Sequence, residues 1–282
     1  MYTDSQSPQE PVEFPADDAP APGGVGATLL SRLGHCVVRL EDPALRPALV
    51  VHETRKDLKR VRALLRLCSE RLPTRPLEKR AAAAARQLAP LRDADATAET
   101  LARLRWRADA RQLEVLDAVT EWYAQRHRAV AGAPGLPRPI ADEVAGELRA
   151  IAAAVQALDF SCMDATALDA GLAAAWSGTA SAFHRVVSKP RLPRFHDFRK
   201  AVKRELYQRE LAGRPLDRME RATLKKLADV LGELQDLEVL RSTLREHHRW
   251  RGPMRRLVKQ TMRELKGRAL RLGAGRYPER SS

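Results

Sequence analysis

A histidine at the start of a strongly basic segment occurs twice in this chain, with the same internal spacing. The first copy is VHETRKDLKR at residues 51–60, and the second is FHDFRKAVKR at residues 195–204. In both, an Arg-Lys pair begins three residues after the histidine and a Lys-Arg pair begins seven residues after it. His52 and His196 are 144 residues apart in a chain of 282, which indicates an internal duplication. Guanidinium and ammonium groups at this density favour a phosphate-bearing anion as the ligand.

Helical geometry places the charged residues of each copy on one side. With about 100° per residue, one side of each helix collects the polar residues and the other is apolar and can be buried. The polar side consists of His52, Arg55, Lys56, Lys59, Arg60, Arg62 and Arg66 in the first copy, and of His196, Arg199, Lys200, Lys203, Arg204 and Tyr207 in the second. Like charges at this spacing repel by roughly 0.2–0.5 kcal/mol per pair. A chain that accepts this cost twice is expected to bind a polyanion.

The composition fits a folded, helical protein with excess positive charge. Apolar residues make up 44% of the chain and aromatic residues only 5%. Abundant Ala, Leu and Arg favour helices over strands. The formal net charge is +14, although residues 1–26 contain five acidic residues and no Lys or Arg. This Pro-rich segment is predicted to be a disordered acidic tail, so the basic excess lies within residues 27–282.

Helical periodicity, interrupted at Pro or Gly, defines the predicted elements. We expect helices near residues 27–41, 47–71, 75–106, 110–131, 139–158, 165–188, 192–212, 216–247 and 252–272. No alternating apolar run of useful length predicts a strand, so the predicted fold class is all-α. Short connections make sequential helices antiparallel. This gives two bundles of about four helices each, one within residues 27–137 and one within residues 138–282.

A second pair of matching segments supports the duplication. Residues 88–95 read LAPLRDAD, and residues 231–238 read LGELQDLE. Asp93 and Asp236 are 143 residues apart, so the register of the two halves is kept to within one residue. Each half thus has a basic helix followed by a long helix with an acidic pair. These acids could bind Mg²⁺ beside a phosphate, but the favoured interpretation is that they orient basic side chains.

The histidine segments resemble the hallmark of the CHAD family, the conserved histidine α-helical domain. That hallmark is a His-x-x-Arg-(Lys/Arg)-x-x-(Lys/Arg)-(Lys/Arg) helix in each half, and the resemblance covers residues 27–282. Tyr207 and the Leu-Gly-x-x-x-Asp segment of the second half also fit, whereas Ala89-Pro90 replaces Leu-Gly in the first. The resemblance implies two pseudo-symmetric, antiparallel four-helix bundles whose basic faces meet around a central groove that binds inorganic polyphosphate.

The first hypothesis is therefore a non-enzymatic polyphosphate-binding protein. Polyphosphate offers no base or sugar, so binding would depend on bidentate arginines, adaptable lysines and counterion release. Further candidates on the last predicted helix are Arg255, Arg256, Lys259 and Arg263. No catalytic residue, metal site or cofactor is predicted. His52 and His196 either contact the ligand or make a structural hydrogen bond, because no partner suited to acid–base catalysis is evident.

Two other functions compete with this hypothesis. A nucleic-acid-binding protein would use the same basic surface, but the sequence lacks RNP-type aromatics, a zinc module and a DNA-recognition helix in a known context. Trp106, Trp122, Trp176 and Trp250 lie in helical registers and are expected to be core or packing residues rather than base-stacking platforms. A polyphosphate hydrolase would require an acidic metal-binding cluster, which the sequence does not provide.

The remaining predictions concern location and partners. No apolar run approaches the ~20 residues that cross a bilayer. Three widely separated cysteines without metal-ligand spacing indicate a reducing compartment. We therefore expect a cytoplasmic protein with no membrane partner, associated with polyphosphate granules. Inorganic polyphosphate is the expected partner and nucleic acid a secondary one, while the sequence does not define an oligomeric state.

Overall fold

The computed structural model describes residues 23–130, 136–214 and 216–278, except for the side chains of residues 90–95 and 127–130. Within these ranges the chain forms ten α-helices, one short 3₁₀ helix and no strand, so the all-α fold class is confirmed. The α-helices are α1 (Gly24–Glu41), α2 (Pro47–Cys68), α3 (Arg75–Gln87), α4 (Ala89–Arg105), α5 (Ala110–Val130), α6 (Arg138–Gln156), α7 (Ala165–Ser188), α8 (Leu192–Leu211), α9 (Arg218–Glu246) and α10 (Gly252–Arg276). Residues 1–22 of the predicted tail lie outside the described residues, and α1 begins within its last residues.

One predicted helix is interrupted. The sequence predicts a continuous helix over residues 75–106, but α3 ends at Gln87 and α4 begins at Ala89. Pro90 lies in the first turn of α4, where its missing backbone N–H has no intrahelical partner to lose. In the middle of a continuous helix the same proline would remove a backbone hydrogen bond. Pro90 therefore starts a new helix instead of continuing the previous one.

The first of two hydrophobic cores lies among α1, α2, α3 and α6. α1 packs against α2 and α6, and α3 packs against the same two helices, so these four helices surround the core. The apolar side of the first basic helix is buried in it: Val51, Leu58, Val61, Leu64, Leu65 and Cys68. The predicted burial of the apolar side of α2 is confirmed.

The second core lies among α7, α8, α9 and α10, together with parts of α4 and α5. The apolar side of the second basic helix is buried there: Phe195, Phe198, Val202 and Leu206. The cores do not follow the predicted division at residues 137 and 138. α6 contributes to the first core, whereas Leu101 of α4 and Leu116 of α5 contribute to the second.

α2 and α8 pack directly against each other and join the two cores. The side-chain amide of Gln208 on α8 donates a hydrogen bond to the backbone carbonyl of Ala63 on α2, at 2.8 Å. Each of these helices buries its apolar side in its own core. Much of the charged side of each helix is consequently left at the junction between the cores.

Candidate functional site

A cavity of about 770 Å³, here called the interhelical cavity, lies between α2 and α8 on one side and α4 and α9 on the other. Its described lining has nine Lys or Arg residues, five acidic residues and one histidine. The basic residues and the histidine are His52, Arg55, Lys56, Lys59, Arg60, Arg103, Arg199, Lys203, Arg221 and Lys225. The acidic residues are Glu99, Glu210, Asp229, Glu233 and Asp236. Positive charge is therefore in excess along the described lining.

α2 contributes the first group of basic residues, held by local contacts. The guanidinium of Arg55 donates a hydrogen bond to the backbone carbonyl of Ala85 at 2.9 Å, which connects α2 to α3. The ammonium of Lys56 lies 3.3 Å from a carboxylate oxygen of Glu53, one turn earlier. His52 is exposed at the cavity surface and lies 3.7 Å from the same carboxylate. These contacts orient the side chains along the lining of the cavity.

Arg60 is the buried member of the α2 row. It is only 5% exposed, and its guanidinium lies 3.1 Å from the carboxylate of Asp57. Asp57 also pairs with Arg32 at 3.3 Å and Arg39 at 2.6 Å, so one buried carboxylate holds three guanidinium groups. Burial lowers the pKa of Arg60, and its guanidinium lies 5.7 Å from the centre of the Tyr207 ring. Asp57 therefore fixes α2 against α1 from behind the cavity.

α8 contributes two further cations that are partly withdrawn from water, Arg199 and Lys203. Burial lowers the pKa of both Arg199 and Lys203, and the positive charge of Arg199 lowers that of Lys203 further. Asp229 and Asp236 act in the opposite direction on Lys203, but more weakly. The Nε atom of Arg199 is buried without a hydrogen-bond partner in the described part of the chain. A bound anion would supply the interactions that these cations lack.

Sequence reasoning missed most of the lining from α4 and α9. Arg103 on α4 lies 3.1 Å from Asp236 on α9, and Arg221 lies 2.9 Å from Glu210. Only Asp236 was singled out from the sequence, as a residue that orients basic groups, and its pairing with Arg103 fits that interpretation. A signal was present, because positions 221, 225, 229, 232 and 236 follow helical spacing along one face of α9.

Eight of the predicted site residues line the interhelical cavity: His52, Arg55, Lys56, Lys59, Arg60, Arg199, Lys203 and Tyr207. The predicted residues of the last helix do not line it: Arg255, Arg256, Lys259 and Arg263. They are exposed on α10, which packs against α9, α5 and α7. Their part in phosphate binding stays a prediction.

A second group of predicted residues lies beside the cavity rather than in its lining. Arg62 and Arg66 on α2 lie 3.6 and 3.8 Å from the carboxylate of Glu78 on α3. Burial lowers the pKa of Arg204 on α8, the charge of Arg66 lowers it further, and Glu78 raises it. Two guanidinium groups thus contact the Glu78 carboxylate, and that of Arg204 is near enough to feel its charge. Lys200 points elsewhere, being exposed and 3.9 Å from Asp197.

The two histidines have different environments. His52 lines the interhelical cavity, whereas His196 lines a smaller cavity of about 300 Å³ between α8 and α9. The Nδ1 atom of His196 lies 2.5 Å from the side-chain oxygen of Gln235. This contact joins α8 to α9 and fits the structural role, one of the two roles that the sequence left open. A ligand contact by either histidine stays a prediction.

The prediction that all four tryptophans are core or packing residues is wrong for Trp106. Trp122, Trp176 and Trp250 are half-buried, but Trp106 is 92% exposed just after the end of α4. Helical register could not reveal this, because α4 ends at Arg105 and a terminal residue need not face the core.

No group of three or more His, Cys, Asp or Glu side chains in the described ranges is arranged to hold a metal ion. Among the described helices, none is both long and apolar enough to cross a membrane.

Comparisons with known proteins agree with the sequence pattern. Residues 29–245, more than half of the chain, match the CHAD domain. The fold is similar to the crystal structure of the CHAD domain from the plant Ricinus communis, with a TM-score of 0.56 and 21% sequence identity over 91% of this chain and 90% of that one. No curated protein matches the chain. With its two histidine helices and its all-α architecture, the chain belongs to the CHAD domain family.

Proposed function

We propose that the chain is a non-enzymatic polyphosphate-binding protein and that the interhelical cavity is its binding site. The observation that carries this proposal is that α2 and α8, the two copies of the basic helix, line one cavity together. Rows of cations directed to separate surfaces would not contact one ligand at the same time. Polyphosphate is also the ligand that the resemblance to the CHAD family implies.

Incomplete charge compensation supports an anionic ligand. Burial lowers the pKa of Arg199 and Lys203, so their charged forms are destabilised in the unliganded protein. A phosphate oxygen at this position would accept hydrogen bonds from both groups. Hydrogen bonds to charged groups contribute about 1.5–3 kcal/mol each. A chain of phosphates would repeat this gain along α2 and α8.

We also infer that the two halves are pseudo-symmetric four-helix bundles around a basic groove. Two ion pairs at corresponding positions support this relation. Arg66 on α2 pairs with Glu78 on α3, and Glu210 on α8 pairs with Arg221 on α9. Arg66 and Glu210 are 144 residues apart, and Glu78 and Arg221 are 143 residues apart. The same offsets separate the two histidines and the two aspartates. The acidic and basic residues have exchanged places between the two pairs. Each pair nevertheless connects a basic helix to the helix that follows it.

Neighbouring lysines on α9 provide a test with a matched control. Lys225 and Lys226 are both exposed, but only Lys225 lines the cavity. Lys225→Glu should weaken the binding of long-chain polyphosphate by about tenfold and reduce the slope of log affinity against log salt by about one. Lys226→Glu should have a much smaller effect. Equal losses in a calorimetric titration, or equal affinity of the native protein for DNA of the same charge, would reject the proposal.

The absence of catalysis is part of the proposal and needs its own measurement. Polyphosphate should remain intact after incubation with the protein and Mg²⁺ or Mn²⁺, at protein concentrations that saturate binding. Metal-dependent release of phosphate would show that the protein is a hydrolase instead.

Cellular location follows from the same proposal. A cytoplasmic protein with this cavity should be concentrated on polyphosphate granules. A fluorescent fusion carrying Lys225→Glu should become diffuse, while the Lys226→Glu fusion should remain on granules. Equal distribution of the two fusions would argue against localisation through the cavity.

Exposed cations on α10 favour nucleic-acid binding as a second candidate function. Arg255, Arg256 and Lys259 are exposed outside the cavity, and none of them forms an ion pair within the described ranges. Reversing these three charges should weaken DNA binding and leave polyphosphate binding nearly unchanged. Displacement of bound DNA by small amounts of polyphosphate would instead place both ligands in the interhelical cavity.

A further inference from the structure

Trp106 is the most exposed large hydrophobic residue in the described part of the chain, at 92%. An indole of this size usually contributes by burial, and leaving it in water forgoes that stabilisation. Its backbone stays in the right-handed helical region, with φ −71° and ψ −6°. Trp106 therefore extends the last turn of α4 by one position.

The register of α4 directs Trp106 toward the rim of the interhelical cavity. Glu99 and Arg103 line the cavity and are four residues apart, and Trp106 comes three residues after Arg103. This spacing keeps the three side chains on one face of the helix. The next residue, Arg107, lies 3.9 Å from Glu233, which also belongs to the lining. Arg107 also pairs with Glu264 on α10 at 3.0 Å. Trp106 thus lies between Arg103, whose partner Asp236 lines the cavity, and Arg107, which is shared between the lining and α10.

The facing part of α9 is open at this level. Arg103 pairs with Asp236, and Arg107 contacts Glu233, so the chain directions of α4 and α9 are opposite and Trp106 is level with residues 233–234, next to Gly232. Gly232 lines the cavity, and a Cβ atom added to it would meet no atom within 4 Å. The rim therefore combines an exposed aromatic face with space that no side chain fills.

We propose that this rim binds the base of a nucleoside polyphosphate whose phosphates enter the interhelical cavity. The inference rests on the proposed phosphate-binding function and adds a ligand class to the same site. Inorganic polyphosphate has no flat group to stack on Trp106, whereas every nucleobase has one. The two sides of the cavity also differ. α2 and α8 present cations to phosphates, while Asp229 and Glu233 on α9 can accept hydrogen bonds from the amino groups of a base.

Two ligands with the same phosphates isolate the contribution of the base. We would measure the affinities of ATP and of ribose 5′-triphosphate for the native protein, Trp106→Ala and Trp106→Phe. The native protein should prefer ATP by about tenfold, the size of one base–aromatic stacking contact. Trp106→Ala should remove most of this preference without changing the affinity for ribose 5′-triphosphate. Trp106→Phe should keep most of the preference but lose the quenching of tryptophan fluorescence by ATP.

The outcomes separate this inference from the proposed function. Equal binding of ATP and ribose 5′-triphosphate by the native protein, or a preference that Trp106→Ala leaves undiminished, would overturn the nucleotide site while leaving polyphosphate binding intact. Failure of every phosphate ligand to bind would overturn both. If Trp106→Ala leaves the ligand ratio unchanged but converts a dimer to monomers in sedimentation, Trp106 contacts a second copy of the chain and the nucleotide proposal fails.

Discussion

The two basic helices carry corresponding cations in different surroundings. Arg55 and Lys59 of α2 correspond to Arg199 and Lys203 of α8 by the 144-residue offset. Lys59 is exposed, whereas burial lowers the pKa of Lys203. Arg55 donates to a backbone carbonyl, whereas the Nε atom of Arg199 has no partner in the described ranges. The α8 row is the less compensated of the two, so a bound anion should stabilise it more.

The helices also differ in how they are anchored from behind. Asp57 holds α2 to two arginines of α1, but the corresponding position in α8 is Ala201. α8 instead uses Glu205, which is fully buried and accepts hydrogen bonds from the hydroxyl of Tyr277 at 2.9 Å and the guanidinium of Arg276 at 3.2 Å. The two copies share the cations that line the interhelical cavity. They differ in the buried carboxylate that anchors each helix, which is Asp57 in α2 and Glu205 in α8.

Replacing these two buried carboxylates should change the free energy of unfolding more than any other substitution considered below. Asp57→Asn leaves three guanidinium groups without their shared carboxylate and should lower the free energy of unfolding by about 3–5 kcal/mol. Glu205→Gln should cost less, because Arg276 keeps Glu220 as a partner at 2.6 Å. Urea denaturation of both variants measures the difference. A smaller loss for Asp57→Asn than for Glu205→Gln would contradict the account of the anchors.

Charge reversal in the cavity should have the next largest effect. The double variant Arg55→Glu/Arg199→Glu should weaken polyphosphate binding by about 100-fold or more, since each change removes a charge-assisted contact and adds repulsion. Circular dichroism should show unchanged helicity. Of the single variants, Arg199→Glu should lose more affinity than Arg55→Glu, because the α8 row depends more on the anion. The reverse order would contradict the ranking of the two helices.

Lys203 and Lys59 give a smaller but sharper contrast. Lys203→Met should stabilise the unliganded protein by about 1 kcal/mol and raise its Tm by about 2–4 °C, because a dehydrated charge is removed. It should also weaken polyphosphate binding. Lys59→Met should weaken binding without raising the Tm, since the Lys59 side chain is exposed. Thermal scans with and without polyphosphate test both variants, and a fall in the Tm of unliganded Lys203→Met would refute the prediction.

The pH dependence has a definite sign. The pKa of Lys203 is lowered in the folded protein from its ordinary value of 10.5, so the unfolded chain binds more protons between the two values. In that alkaline window the stability of the unliganded protein should gain a contribution from Lys203 that increases with pH. A bound polyphosphate would raise the pKa of Lys203, so the affinity of the protein for polyphosphate should fall as the pH rises through the same window. Lys203→Met should remove this component from both curves.

The smallest effect concerns the charge-exchanged ion pairs. Glu210→Arg and Arg221→Glu should each destabilise the fold by about 1 kcal/mol, because each places two like charges side by side. The double variant should recover part of the loss, since it restores an ion pair with the basic residue on α8 and the acidic residue on α9, the same order as Arg66 and Glu78. A double-mutant cycle on the free energy of unfolding measures the coupling. Strictly additive losses would show that the pair does not connect α8 to α9.

The sequence was sufficient for most of the fold. Helix boundaries followed Pro and Gly, and the apolar sides of α2 and α8 were predicted correctly because a 3.6-residue period determines which residues share a side. The prediction lacked the interruption at Leu88 because a proline within a helical pattern can mark either a kink in one helix or the first turn of a new one, as Pro90 does. α4 and α5 were expected in the first bundle, but both contribute to the second core. This depends on long-range packing, which hydrophobic periodicity does not encode.

The candidate site was predicted in part for a related reason. A helical wheel identifies the polar side of a helix but not what faces it. The cations of α10 therefore resembled those of α2, although they lie outside the cavity. Arg62 and Arg66 share a side with Arg55, but Glu78 on α3 draws them away from the lining. Trp106 was misjudged because its exposure depends on where α4 ends.

A crystal structure with a short polyphosphate would show whether α2 and α8 bind one ligand together. We expect consecutive phosphates in the interhelical cavity, with oxygens within hydrogen-bonding distance of Arg55 on α2 and of Arg199 and Lys203 on α8. Phosphate bound only along the exposed face of α10, or contacting α2 or α8 alone, would contradict the account.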